Sequence, residues 1–229
     1  MKIICGLMLT SLLAFGQDDK IVRKIIPLKY ASPSAVYRVV SAFQPNNLQY
    51  DDSLHVLSVR GTADMVTAVE EAVKKLDVLP SDFELTVYLI SSSPQTGDQL
   101  PEALASTAKQ LHGVFAYKGY QLLESFVLRG RDGQGGSADG TIRNSTYSFR
   151  YNRATVMEAS PKIVGLQNLS LQIRIPTGGI DEKGRPASKT TGLSTDIDIR
   201  DGQKVVVGKS DVNNGESPLI LVVTAKVVE

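Results

Sequence analysis

The sequence predicts an α+β protein: an N-terminal βαββα module on a three-stranded sheet, followed by a β-rich domain with one inserted helix. Three observations carry this expectation. Two amphipathic helical repeats lie within the first eighty residues, each beside short strand-like runs. A third helical repeat, Leu100–Gly113, sits between two strand patterns. Alternation of apolar and polar residues then fills most of the chain, as in Ala154–Pro176 and Ser194–Ser210, and such alternation builds strands with one dry face.

The totals narrow the class. With 229 residues, 42% hydrophobic and 21% charged, the chain suits one or two globular domains. Lys and Arg number 25 against 24 Asp and Glu, a net charge of +1, so there is no cationic footprint for a nucleic-acid backbone. Trp is absent and aromatics are 6%, which leaves no obvious stacking platform for bases or sugars. At the N-terminus Lys2 precedes the apolar run Ile3–Phe15, which is too short to span a bilayer comfortably, and small residues stand at Ala14 and Gly16. Residues 1–16 therefore read as a cleaved secretory signal, which places the mature chain outside the cytosol. The only cysteine, Cys5, falls inside that run, so the mature chain has no disulfide or thiolate chemistry.

Residues 20–80 form the first expected domain. "RKIIPLKYA" reads as a strand, with Ile25, Ile26 and Leu28 apolar. The helix after it starts at Pro33 behind Ser32 as cap, and places Ala35, Val36, Val39, Val40 and Phe43 on one face. "QPNN" breaks that helix, and "LQYDDSLHVLSVRG" reads as a hairpin turning at Asp51–Ser53. A second helix, capped by Thr62, lines Met65, Val66, Val69, Ala72, Val73 and Leu76 on one face. Glu70 and Glu71 stand at pairing distance from Lys74 and Lys75 on the solvated side.

"VLPSD" marks the boundary, and residues 81–229 form the β-rich domain. "FELTVYLISSS" is its first strand. In the helix that follows, Leu104, Ala108 and Leu111 face inward and Gly113 is the expected stop. "GYQLLESFVLRG" reads as a strand, "RDGQGGSADG" as a glycine loop and "TIRNSTYSFRY" as a strand. Later turns are expected at "SP", "GLQN", "TGGIDEKGRP", "RDG" and "NNGESP". The apolar, β-branched "PLILVVTAKVV" is expected to be a central strand or a covered edge. One sheet or two is left open.

No pattern in the chain carries catalytic or cofactor chemistry. His55 reads as a half-buried strand residue and His112 as a residue favoured by a helix C-terminus. With two isolated histidines and no mature cysteine, no metal site is expected. The glycines of Gly133–Ala138 precede a strand, whereas a dinucleotide site needs a helix there. Asp196–Gly202 lacks calcium-loop spacing, because Arg200 holds a position that needs an oxygen. A Ser-His-Asp hydrolase would have to assemble in space around His55 or His112, and no serine sits in a nucleophile-elbow setting.

The stretches "KIIPLKYASPSAVYRVVSAF" and "LQYDDSLHVLSVRGTADMVTAVEEAVKKLDVLP", over about Arg23–Pro80, resemble the short periplasmic N-domains of secretins, the ring-forming outer-membrane channels of secretion and pilus systems. "DFELTVYLISSS" and "STDIDIRDGQKVVVGKS" are similar to secretin core strands. Between Ser93 and Thr190 the chain departs from that pattern, with no outward apolar band flanked by aromatics, so channel formation is not carried over. The resemblance implies oligomerisation and protein partners in the envelope, without catalytic residues. The resulting expectation is a non-enzymatic exported envelope protein, periplasmic or outer-membrane-associated, that assembles with or assists a secretion or pilus machine. It needs no cofactor, binds no nucleic acid and self-associates or meets envelope proteins. Arg38, Glu70, Lys74 and Lys75 are the candidate partner surface. The alternatives are a subunit of an oligomeric outer-membrane channel and a periplasmic module for a small ligand, whose pocket a sequence does not reveal.

Overall fold

The computed structural model describes residues 20–93, 95–180, 186–212 and 217–228. The expected signal segment, with Cys5, lies outside them. The chain divides into two compact units between Leu79 and Pro80.

The first unit holds β1 (Ile21–Pro27), α1 (Pro33–Val40), β2 (Asn47–Asp51), β3 (Val56–Thr62) and α2 (Ala63–Leu76). Its three strands form an antiparallel sheet in the order β1-β3-β2. One face of the sheet, through Ile26, Leu57 and Val59, packs against Val36 and Val40 of α1 and Val66, Val69 and Val73 of α2. Thr62 caps α2 by accepting from the Met65 N–H at 3.4 Å. Ser32 has the backbone of a cap but makes no side-chain cap bond. Its Oγ lies 2.7 Å from the Ser34 hydroxyl, and the Ser34 N–H donates instead to Asp52 Oδ1 at 3.1 Å, so the hairpin caps the helix in its place.

The apolar face expected of α1 is only partly buried. Val36 and Val40 point inward, but Val39 is 51% and Phe43 43% exposed. The helix has only eight residues, and the chain then tightens into a 3₁₀ turn at Ser41–Phe43 that takes Phe43 off the inward stripe. Ile25 is likewise exposed on the far face of β1. The hairpin turns one residue later than expected. Asp51 ends β2, and its carboxylate accepts from Ser53 N, Ser53 Oγ and Leu54 N at 2.9, 2.6 and 3.0 Å. The turn takes in His55, which is exposed with φ +52°, so it is not the half-buried strand residue expected.

The second unit is a two-sheet sandwich with a helix on one outer face. It contains β4 (Asp82–Ser92), α3 (Ala105–Val114), β5 (Tyr120–Arg131), β6 (Gly136–Ile142), β7 (Ser145–Tyr151), β8 (Arg153–Met157), β9 (Ile163–Ile180), β10 (Pro186–Arg200), β11 (Lys204–Val212) and β12 (Ser217–Val228). One sheet runs β11-β12-β4-β5; the other runs β10-β9-β7-β6, with β8 also paired to β9. Alternate residues of β4 (Phe83, Leu85, Val87, Leu89) and β12 (Leu219, Leu221, Val223, Ala225) meet Phe149, Leu169 and Leu171 of the opposite sheet. The intervening residues Ile90, Ile220 and Val222 face Leu104 and Leu111 in and beside α3. β12 is thus buried on both faces, as a central strand rich in β-branched residues requires.

Three turn expectations in this unit are overturned. The glycine stretch is a loop only at Asp132–Gly135, because from Gly136 it is β6. Its glycines make room for aromatic rings: a Cβ at Gly136 would lie 2.5 Å from Tyr151 Oη, and one at Gly140 would meet the Tyr147 ring. The turn lies instead within "TIRNSTY", at Arg143–Asn144, with Arg143 at φ +53°. "GLQN" is no turn but part of β9, with Asn168 at φ +50° and its N–H donating to Asp196 Oδ1 at 2.6 Å beside a register shift in β10. Gly113 lies inside α3, which ends at Val114. "RDG" does turn, with Gly202 at φ +73°. The centres of "TGGIDEKGRP" and "NNGESP" lie outside the described residues.

Candidate partner surfaces

The helices of the first unit place the sequence-selected residues in different settings. Arg38 is exposed on the last turn of α1, and Lys74 and Lys75 are exposed on the last turn of α2. Their side chains make no ion pair with any described residue. Glu70 is different. Its carboxylate receives Lys24 Nζ of β1 at 2.6 Å and is three-quarters buried, so it pairs with the sheet and not with Lys74 one turn away. Three of the four are therefore exposed cations on long flexible stems, on two different helices, with exposed apolar residues next in sequence, Val39 after Arg38 and Leu76 after Lys75.

Asp77, which the sequence does not single out, fixes the loop before α1. Standing just past α2, its carboxylate accepts from the N–H groups of Lys29, Tyr30 and Ala31 at 2.8, 2.8 and 2.9 Å. Partial burial pushes its pKa up, but those three donors and the Lys29 charge outweigh burial and hold it below the usual Asp value.

In the second unit the last turn of α3 overhangs the edge strand β11. Leu111, Val114 and Phe115 on one side and Val205, Val206 and Gly208 on the other line an open, mostly apolar groove of about 470 Å³. At its rim Lys209 Nζ lies 5.9 Å from the Phe115 ring centre and 6.0 Å from that of Tyr117. The same ammonium is 3.0 Å from Asp211 Oδ1 and 3.3 Å from Tyr117 Oη, and these contacts raise its pKa, Asp211 most of all. A second open cleft, of about 540 Å³, lies on the polar outer face of β6, β7, β9 and β10, where Arg150, Arg174 and Asp139 stand among Thr141, Thr146 and Thr190.

His112 is in the last turn of α3 as expected, and its Nε2 lies 3.0 and 3.1 Å from the two Asp98 carboxylate oxygens, with the His112 and Tyr120 ring centres 4.8 Å apart in an edge-on arrangement. It bonds to no serine among the described residues. Among those residues no group of three or more His, Cys, Asp or Glu is placed to hold a metal ion. No described helix is long and apolar enough to cross a membrane, which says nothing about strands. The sheets end at β11 and β5 and at β10 and β6, and the β10 and β11 edges meet through Thr191, whose Oγ1 lies 2.9 Å from Ser210 Oγ and donates to the Asp211 carbonyl at 3.3 Å.

No protein-family profile matches the sequence, and no curated protein matches it. Solved structures do. The chain is similar to the type II secretin GspD of enteropathogenic Escherichia coli, with 11% identity, TM-score 0.59, and coverage of 90% of this chain and 87% of that one. It is similar to the type IV competence pilus secretin PilQ of V. cholerae, with 13% identity, TM-score 0.58, and coverage of 91% and 77%. The ETEC pilotin–secretin complex AspS–GspD matches at 11% identity and TM-score 0.60; the match covers 90% of this chain but only 62% of that longer one. The fold is secretin-like across both units.

Proposed function

We propose that this chain is a non-enzymatic, exported component of the cell envelope that acts in the assembly of a secretion- or pilus-type machine, or as its accessory. The observation that carries this reading is the secretin-like fold over nine-tenths of the chain. The first unit takes the part of a secretin N-domain, whose work is protein contact. Arg38, Lys74 and Lys75, with the exposed sheet edges, are the contact surfaces, and Glu70 holds α2 to the sheet beneath them. One solved neighbour is a secretin bound to its pilotin, which makes a dedicated envelope protein a fitting class of partner here. No cofactor and no nucleic acid enter this reading.

A second reading, a channel subunit, draws support from one feature. β9 and β10 have 18 and 15 residues, longer than the roughly 9–11 a membrane-crossing strand needs. The mass of Gln17–Glu229, measured in solution and in detergent extracts of native envelopes, separates the readings. A discrete large assembly that dissociates in detergent, or a heteromeric complex, supports assembly or accessory work. An assembly that resists detergent supports the channel. A monomer in both settings, with no co-purifying envelope protein, overturns both.

A further inference from the structure

The face of the first sheet turned away from the helices carries an unneutralised pair of arginines. Arg23 of β1 stands directly opposite Arg60 of β3, and Arg60 directly opposite Asn47 of β2. Directly opposite residues of antiparallel strands share a face, with Cβ atoms about 4.5–5.5 Å apart. All three are exposed, while their neighbours Val59 and Gly61 on β3 are buried against the helices. Neither guanidinium bonds to a described residue. The sole acidic residue in register on this face, Asp51, has its carboxylate turned to Ser53 and Leu54. Ile21 and Ile25 flank Arg23 two residues either way, 51% and 64% exposed.

Like charges facing each other across a ladder oppose folding. Two exposed guanidiniums whose backbones stand side by side also offer a pair of planar forks to carboxylates, and arginine suits that pairing better than lysine does. We propose that this row is the docking site for an acidic helix of a partner protein, with Arg23 and Arg60 each taking one of two carboxylates placed a single turn apart. Charge complementarity selects an acidic occupant, because the two cations have no acidic partner on this face among the described residues, and helical spacing suits the pair. Residues one helical turn apart have Cβ atoms about 5–6 Å apart, close to the arginine pair. Apolar residues beside the acidic pair would cover Ile21 and Ile25. The site lies on the opposite face from Arg38, Lys74 and Lys75, and it stands whether or not the chain serves a secretion machine.

The test uses Gln17–Glu229 and two fluorescent helical peptides, one with Glu at i and i+4 beside a leucine, the other with Gln in place of both Glu. Anisotropy is expected to show about tenfold tighter binding of the Glu peptide, weakening as salt rises. Arg23→Thr and Arg60→Thr each abolish that preference, while Arg153→Thr, an exposed arginine of the other unit, leaves it intact. Removing the like-charge contact also raises the melting temperature of Arg60→Thr by about 1–3 °C, so lost binding is not lost folding. Equal binding of the two peptides, or a preference unchanged in both threonine variants, overturns the proposal. So does a change in the chain's own oligomeric mass in those variants without a peptide effect, which assigns the face to a second copy.

Discussion

Asp77 shows how one side chain sets the geometry of a whole loop. It follows α2 directly, yet its hydrogen bonds reach back to Lys29, Tyr30 and Ala31, more than forty residues earlier. Three backbone donors on one carboxylate hold the entry to α1 against the exit of α2. Replacing Asp77 with Ala leaves those donors to water and is expected to cost about 1–2 kcal/mol, a discounted figure because the site is largely solvated. The pH dependence has a definite sign. Since the folded-state pKa is depressed, the contribution is present in full above the ordinary Asp value of about 3.9 and is lost as pH falls through the lower folded value. Asp77→Asn keeps the shape without the charge. Melting temperatures from pH 7 to pH 3 should therefore fall less steeply for Asp77→Asn than for the native chain. Parallel curves would show that the carboxylate charge adds nothing.

At the scale of elements, legibility follows the range of the interactions that make each one. α2 is readable because cap, apolar stripe and solvated face all lie within sixteen residues. β4 and β12 are readable from their alternation and apolar run. β6 is not. Gly136, Gly140 and the polar residues between them look like a loop until Tyr151 and Tyr147 of β7 are laid over them, and that overlay depends on pairing. Glycine in a strand beside an aromatic partner is a known compensation, and no window along one strand displays it. The candidate surfaces follow the same rule. Arg38, Lys74 and Lys75 are legible as outward positions of helices, whereas Lys24 meets Glu70, and Arg23 meets Arg60, only through tertiary packing and register. Gly136→Ala tests the reading of β6. The new Cβ would press on Tyr151, which is 3% exposed and packed near Phe83 and Phe149 with ring centres 6.3 and 6.5 Å away, so the ring cannot swing clear. The expected cost is about 1–3 kcal/mol in denaturant melts. A cost near zero would mean that the ring moves and the packing is looser than described.

At the scale of the molecule, the buried residues fall into clusters that do not cross the boundary at Leu79 and Pro80. Ile26, Leu57, Val59 and their helix partners form one cluster; the sandwich core and the layer under α3 form two more, joined back to back through β4 and β12. A cooperative unit is a set of residues that lose their burial together, and separate cores give separate transitions unless an interface couples them. Two core truncations decide the matter. Leu57→Ala removes a fully buried side chain from the first unit, and Leu221→Ala one from the centre of the sandwich, each at about 2–5 kcal/mol. By calorimetry on the full chain, Leu57→Ala is expected to lower only one transition and Leu221→Ala only another. The larger heat should belong to the transition Leu221 moves, because enthalpy scales with the residues that unfold together. A single transition lowered by both variants would mean that the units melt as one body, and that a partner gripping the first unit directly stabilises the sandwich too. With two transitions, the N-terminal unit can unfold while the β unit stays folded, so each unit keeps its own stability.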